Sequence, residues 1–205
     1  MMGAEMRRGG SAGAGLVVVL LLTTGCGGGG RSETGPSVTP ALTKGVDTGC
    51  GHYLKPETVA AALGDNKFAD VNGHFQDGKG SCLVNISVRE AGRSGSGPLH
   101  TVAKLSLEVL DWKDPSQVAE YVGGKCHATS ADGVTETFKG AKGSCGTYRA
   151  DPPEEFLVGG RVDAYAGEGR KLITVAVDGV DGTLEQDRKH AFQLLADARA
   201  KISGK

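Results

Sequence analysis

Hydrophobic positions in this chain follow two rhythms. Ala103, Leu105, Leu107 and Val109 alternate with Val102, Lys104, Ser106 and Glu108. Strict alternation marks a strand that buries one face. The same period, less clean, runs through Leu83, Val84, Ile86 and Val88 in residues 82–89. Residues 134–138, 145–149, 161–166 and 171–177 also read as strands, with Gly167-Glu168-Gly169 as a hairpin signal between the last two. The second rhythm is helical. Leu184, Ala191, Leu195, Ala198 and Ile202 form one stripe, and Thr183 with Gln186 supplies a capping box in front of it. Asp114-Pro115-Ser116-Gln117 opens another helix, predicted to run to about Val122 and to bury Val118, Tyr121 and Val122. A third runs from Pro56 to a Gly64 cap. Residues 65–80 read as a polar loop and 91–98 as a flexible connection. These elements predict an α+β domain, an antiparallel sheet with helices packed on one face.

The apolar run at residues 16–22 fits neither rhythm. Seven residues are far short of the roughly 20 that cross a bilayer. Arg7 and Arg8 precede the run and small residues follow it, the plan of a signal peptide. It ends Thr23-Thr24-Gly25-Cys26, which resembles the bacterial lipobox. The lipobox implies cleavage before Cys26, diacylglycerol on its sulfur and usually an N-acyl chain, giving a stable multi-chain anchor. Thr23 stands where an aliphatic residue is usual. Arg7-Arg8 also resembles a twin-arginine signal, although Gly9 and Gly10 replace the apolar residues that normally follow. Residues 26–48, rich in Gly, Ser, Thr and Pro, read as a flexible stalk with a reach of roughly 25 Å. The predicted organisation is therefore a signal peptide at 1–25, a lipidated stalk at 26–48 and an extracytoplasmic domain at 49–205.

Composition narrows the partners. Residues 1–25 carry Glu5, Arg7 and Arg8. Without them the chain keeps 180 residues, with 21 basic and 23 acidic side chains and a net charge of −2. That leaves no basic excess for nucleic acid and no polybasic patch for lipid headgroups. If Cys26 carries lipid, four cysteines remain: Cys50, Cys82, Cys126 and Cys145. An even remainder in an exported chain reads as two disulfides. Three connectivities are open, and the one that joins sequence neighbours, Cys50–Cys82 and Cys126–Cys145, is favoured. With no C-x-x-C pair and scattered histidines, the sequence implies neither a metal nor a cofactor. Lys79-Gly80-Ser81-Cys82 and Lys142-Gly143-Ser144-Cys145 are identical tetrapeptides, each in front of a strand-like stretch.

Cys50, Tyr53-Leu54, the segment from Pro56 to Ala62-Leu63-Gly64, and Gly80-Ser81-Cys82 together resemble a family of actinobacterial secreted lipoproteins of unknown function. The resemblance extends over residues 48 to 203 and is most specific in the first third. It implies an exported disulfide-bonded domain and carries over no catalytic residues.

Catalytic motifs are not visible. Residues 26–205, beyond the expected signal peptide, hold no G-x-S-x-G elbow, no phosphate-cradling G-x-x-x-x-G-K-[ST] loop and no H-E-x-x-H. Ser81 and Ser144 read as turn residues beside disulfides. Glu154-Glu155 and Asp178 with Asp181 read as solvated acidic pairs, and Asn85-Ile86-Ser87 as an unused sequon in a strand. His52 and Tyr53, next to Cys50, are candidates to line a cleft. Trp112 is a candidate stacking ring or a core anchor. The expectation is a non-enzymatic module at the outer face of the cell membrane. It would be held there by the lipid on Cys26 and would bind an unidentified ligand or envelope protein. The alternatives are an envelope enzyme whose site assembles from distant residues and an accessory subunit of a membrane complex.

Overall fold

The computed structural model describes residues 37–64, 66–89, 97–150, 160–178 and 183–204. The expected signal peptide, Cys26 and the first part of the stalk lie outside these residues, as do Glu154-Glu155 and Asp181.

The first element is a helix that glycine-rich composition concealed. In α1 (Pro40–Gly49), Leu42 N donates to the Thr39 hydroxyl at 3.3 Å and Pro40 takes the first helical position. Leu42 and Val46, one turn apart, are fully buried. Residues 40–48, expected to be stalk, are therefore helical and packed into the domain. Their glycines are contact points. A Cβ on Gly45 would lie 2.7 Å from Cγ2 of Val71, and one on Gly73 would collide with the Gly49 carbonyl.

α2 (Pro56–Leu63) follows as the sequence predicts. The next stretch corrects the loop expected at 65–80. β1 (Ala69–Gln76) and β2 (Lys79–Arg89) form a hairpin around Asp77-Gly78. Both turn residues have positive φ, 53° and 72°, which is what a tight two-residue hairpin turn requires. β1 escapes the hydrophobic pattern because only Val71 and Phe75 face the core from its centre, while Asp70, Asn72 and His74 face water.

The chain continues through β3 (Leu99–Asp111), α3 (Pro115–Cys126), β4 (Glu136–Lys139), β5 (Cys145–Arg149), β6 (Arg161–Glu168), β7 (Lys171–Asp178) and α4 (Leu184–Ile202). The strands make one seven-stranded sheet, ordered β1-β2-β3-β7-β6-β5-β4, with every neighbouring pair antiparallel. Two meanders meet at its centre, where β3 pairs with β7. α3 carries the chain from β3 to the far edge at β4, from which the second meander returns.

Alternation divides the sheet's side chains between two clusters. In the larger, Leu105, Leu107, Ile173 and Val175 pack with Leu42, Val59, Leu194 and Leu195 from α1, α2 and α4. These three helices occupy one face; the expectation put α2, α3 and α4 together there and did not foresee α1. α3 packs on the other, where Val118 and Val122 meet Cys145, Tyr165 and Leu172. α3 runs to Cys126, four residues beyond its predicted end, and Tyr121 is half-exposed instead of buried. Among the described residues no helix is long and apolar enough to cross a membrane.

The two disulfides are Cys50–Cys82 and Cys126–Cys145, with Cα separations of 5.1 and 5.5 Å. The first joins the end of α1 to β2, and the second joins the last residue of α3 to β5. The repeated tetrapeptide is not a structural repeat. Lys79-Gly80 is strand, whereas Lys142 and Gly143 form a left-handed turn with φ of 55° and 73°.

Candidate functional site

The residues singled out in the sequence do not assemble into one place. His52 points into solvent with Nδ1 3.4 Å from an Asp47 carboxylate oxygen. Tyr53 turns inward and stacks on Phe75 with ring centroids 4.4 Å apart, and burial pushes its hydroxyl pKa up. The two therefore line no common cleft. Ser81 is exposed on β2, and Ser144 is buried with its hydroxyl donating to the Ala141 carbonyl at 2.6 Å. Asp178 ends β7 buried, with Oδ2 3.5 Å from Arg161 Nη1.

Trp112 does lead to a site. Its ring meets Tyr121 edge-on at 5.5 Å, and Tyr121 meets Tyr165 at 6.5 Å. This aromatic row ends at a cavity of about 470 Å³ beneath α3. Tyr121 and Lys125 hang over it from successive turns of α3. Thr147 and Arg149 on β5, and Tyr165 on β6, form its floor, and Asp132 closes the far wall. Thr147 and Arg149 are two residues apart on a strand, so they share the face that α3 covers.

The charges of this pocket are unbalanced. Lys125 Nζ lies 5.4 Å from the Tyr121 ring centroid and 5.8 Å from that of Tyr165, a cation–π contact with no carboxylate paired to it among the described residues. Arg149 stands directly opposite Arg161 in the β5–β6 register. Arg161 is neutralised: its Nε and Nη2 donate to Asp163 at 2.9 and 2.8 Å, and Nη1 approaches Asp178. Arg149 has no ion pair among the described residues, and its buried Nε meets no acceptor there. The Asp132 carboxylate is engaged elsewhere, accepting from the Thr129 N–H at 3.0 Å to cap a short turn. Tyr165 lies beside the Thr147 hydroxyl. Its pKa is pushed up to about 12, first by burial and then by the charge of Asp163, so it stays a neutral hydrogen-bonding phenol at physiological pH.

A second cavity of about 470 Å³ lies on the opposite face, between α4 and the Ala141–Gly143 turn. Its lining is mostly apolar, with Phe192, Leu195 and Ala196 prominent. Its arginine is already satisfied, since Arg199 Nη2 and Nε donate to Glu168 at 2.9 and 3.1 Å. The pocket beneath α3 is the better candidate because its cations lack anions among the described residues. No group of three metal-ligating side chains converges among those residues.

Sequence reasoning misses this pocket. Tyr121 reads there as a core residue, and Lys125, Thr147, Arg149 and Tyr165 carry no motif. The available signals are the Tyr121–Lys125 spacing of one helical turn and the Thr147–Arg149 alternation. Neither says that α3 folds back over β5 and β6.

Fold and bonds define the class: a disulfide-stapled α+β domain with an antiparallel seven-stranded sheet. No protein-family model matches the chain, and no curated protein matches it. Among solved structures it is similar to the extracellular domain of PknH from Mycobacterium tuberculosis, at 14% identity and a TM-score of 0.38. The match spans 60% of this chain and 65% of that one, less than two thirds of the neighbour.

Proposed function

We propose that this chain is a non-enzymatic binding module on the outer face of a bacterial cell membrane, tethered by lipid on Cys26. The observation that carries the reading is the pocket beneath α3. Two cations and two tyrosine rings converge there, and its described lining contains no histidine, thiol or pair of carboxylates. Such a set recognises a ligand and offers no obvious base to activate a nucleophile. The two disulfides support an oxidising compartment, where such bonds persist. The signal-like run and the lipobox-like Thr23-Thr24-Gly25-Cys26 support export and tethering.

Two measurements test this. Substituting Cys26→Ser should move the protein from the membrane fraction to the medium, and continued membrane retention would contradict the tether. Native mass spectrometry of protein gently extracted from its own membrane should show cleavage before Cys26, the added lipid and a non-covalent ligand mass. A bare chain that also turns over a substrate in an envelope extract would overturn the binding reading.

A further inference from the structure

We infer that the pocket beneath α3 binds an acidic sugar, a hydroxylated ring bearing a carboxylate or a phosphate. The inference rests on the binding reading above and adds the ligand's chemical class.

Arg149 and Arg161 oppose each other across β5 and β6. Like charges directly across a strand pair destabilise it. Arg161 escapes through Asp163 and Asp178. Arg149 has no such carboxylate among the described residues, and its Nε is a buried donor with no acceptor there. Leaving a buried charged donor unmatched is costly, so the site is built to gain from an oxyanion. A guanidinium presents its N–H groups as a planar fork that matches carboxylate and phosphate oxygens. Lys125 adds a second cation from α3 above the same cavity.

The remaining walls specify the rest of the ligand. Tyr121 and Tyr165 offer ring surface, which suits the apolar C–H face of a sugar. Thr147 and the Tyr165 phenol offer hydroxyl donors and acceptors that a plain aryl acid would leave unmatched. A cavity of about 470 Å³ lies within the usual range for small-molecule sites.

The test is saturation-transfer difference NMR on the detergent-extracted mature chain. The probes are D-glucuronic acid and glucose 1-phosphate, with glucose, benzoate and inorganic phosphate as controls. Saturable binding of either acidic sugar, with glucose, benzoate and inorganic phosphate each at least about tenfold weaker, supports the inference; the stronger of the two sugars identifies the anion. Arg149→Gln should weaken that binding at least about tenfold. Tyr121→Ala alters a half-exposed side chain, keeps the fold intact and should also weaken it. Equal binding of glucose, benzoate or inorganic phosphate overturns the inference, as does undiminished binding by both variants. Failure of both acidic sugars overturns the ligand class alone. The binding reading falls separately, on the native mass spectrum and turnover assay.

Discussion

Arg149 faces Arg161 across β5 and β6, and of the two only Arg161 has carboxylates beside it among the described residues. Removing the Arg149 charge relieves a like-charge pair, so Arg149→Gln should leave the thermal midpoint unchanged or raised, as read by differential scanning calorimetry. Asp111 shows the reverse arrangement. It accepts from Arg170 at 3.0 and 3.2 Å and from Lys171 at 3.1 Å, and these bonds, Arg170 first, hold its carboxyl below the usual carboxylate range. A depressed acid contributes stability above its unfolded pKa, and that contribution is lost as pH falls through the folded value. Asp111→Asn should therefore melt below the parent at pH 7, and the difference should shrink as acid protonates the carboxyl. Added salt should shrink the pH 7 difference, because the carboxylate is exposed. Neither arrangement is legible in the sequence. Arg149 and Arg161 are separated by a connection whose length does not reveal their register, and Asp111 meets Arg170 and Lys171 only after β7 returns to pair with β3.

At the scale of elements, period and caps are readable wherever one face is cleanly apolar. The buried positions of β3 and the Thr183–Gln186 box of α4 match their expectation, the box closing with bonds of 3.1 and 3.3 Å. Legibility fails where glycine or polar residues stand in for a pattern, at α1 and β1. Glycines in two helices should accordingly respond in opposite ways. Gly45→Ala places a methyl group 2.7 Å from Val71 and should cost about 1–3 kcal/mol in urea unfolding. Gly123→Ala, inside α3, has open space around its new methyl group and should gain about 0.5–1 kcal/mol. The side of the sheet that α3 takes is not legible either, since a crossing helix has the same stripe whichever face it covers.

At the scale of the whole molecule, cysteine parity and sequence neighbourhood identify both disulfides, while the pocket has to wait for three-dimensional assembly. The bonds close separations of 32 and 19 residues. Chain-entropy arguments give each about 3–4 kcal/mol, with the longer loop worth slightly more. Paired Cys→Ala substitutions should each lower unfolding free energy by that order, with the Cys50/Cys82 pair costing more. Each crosslink stays within its own half of the chain, and neither spans the junction of β3 with β7. A cut between β3 and α3 would leave two internally sewn fragments with complementary strand edges. Hydrogen bonds between β3 and β7 and the packing of α2 on α4 would be the means of reunion, so this chain has the design of a split reporter: two pieces, made apart, that regain one sheet when they meet.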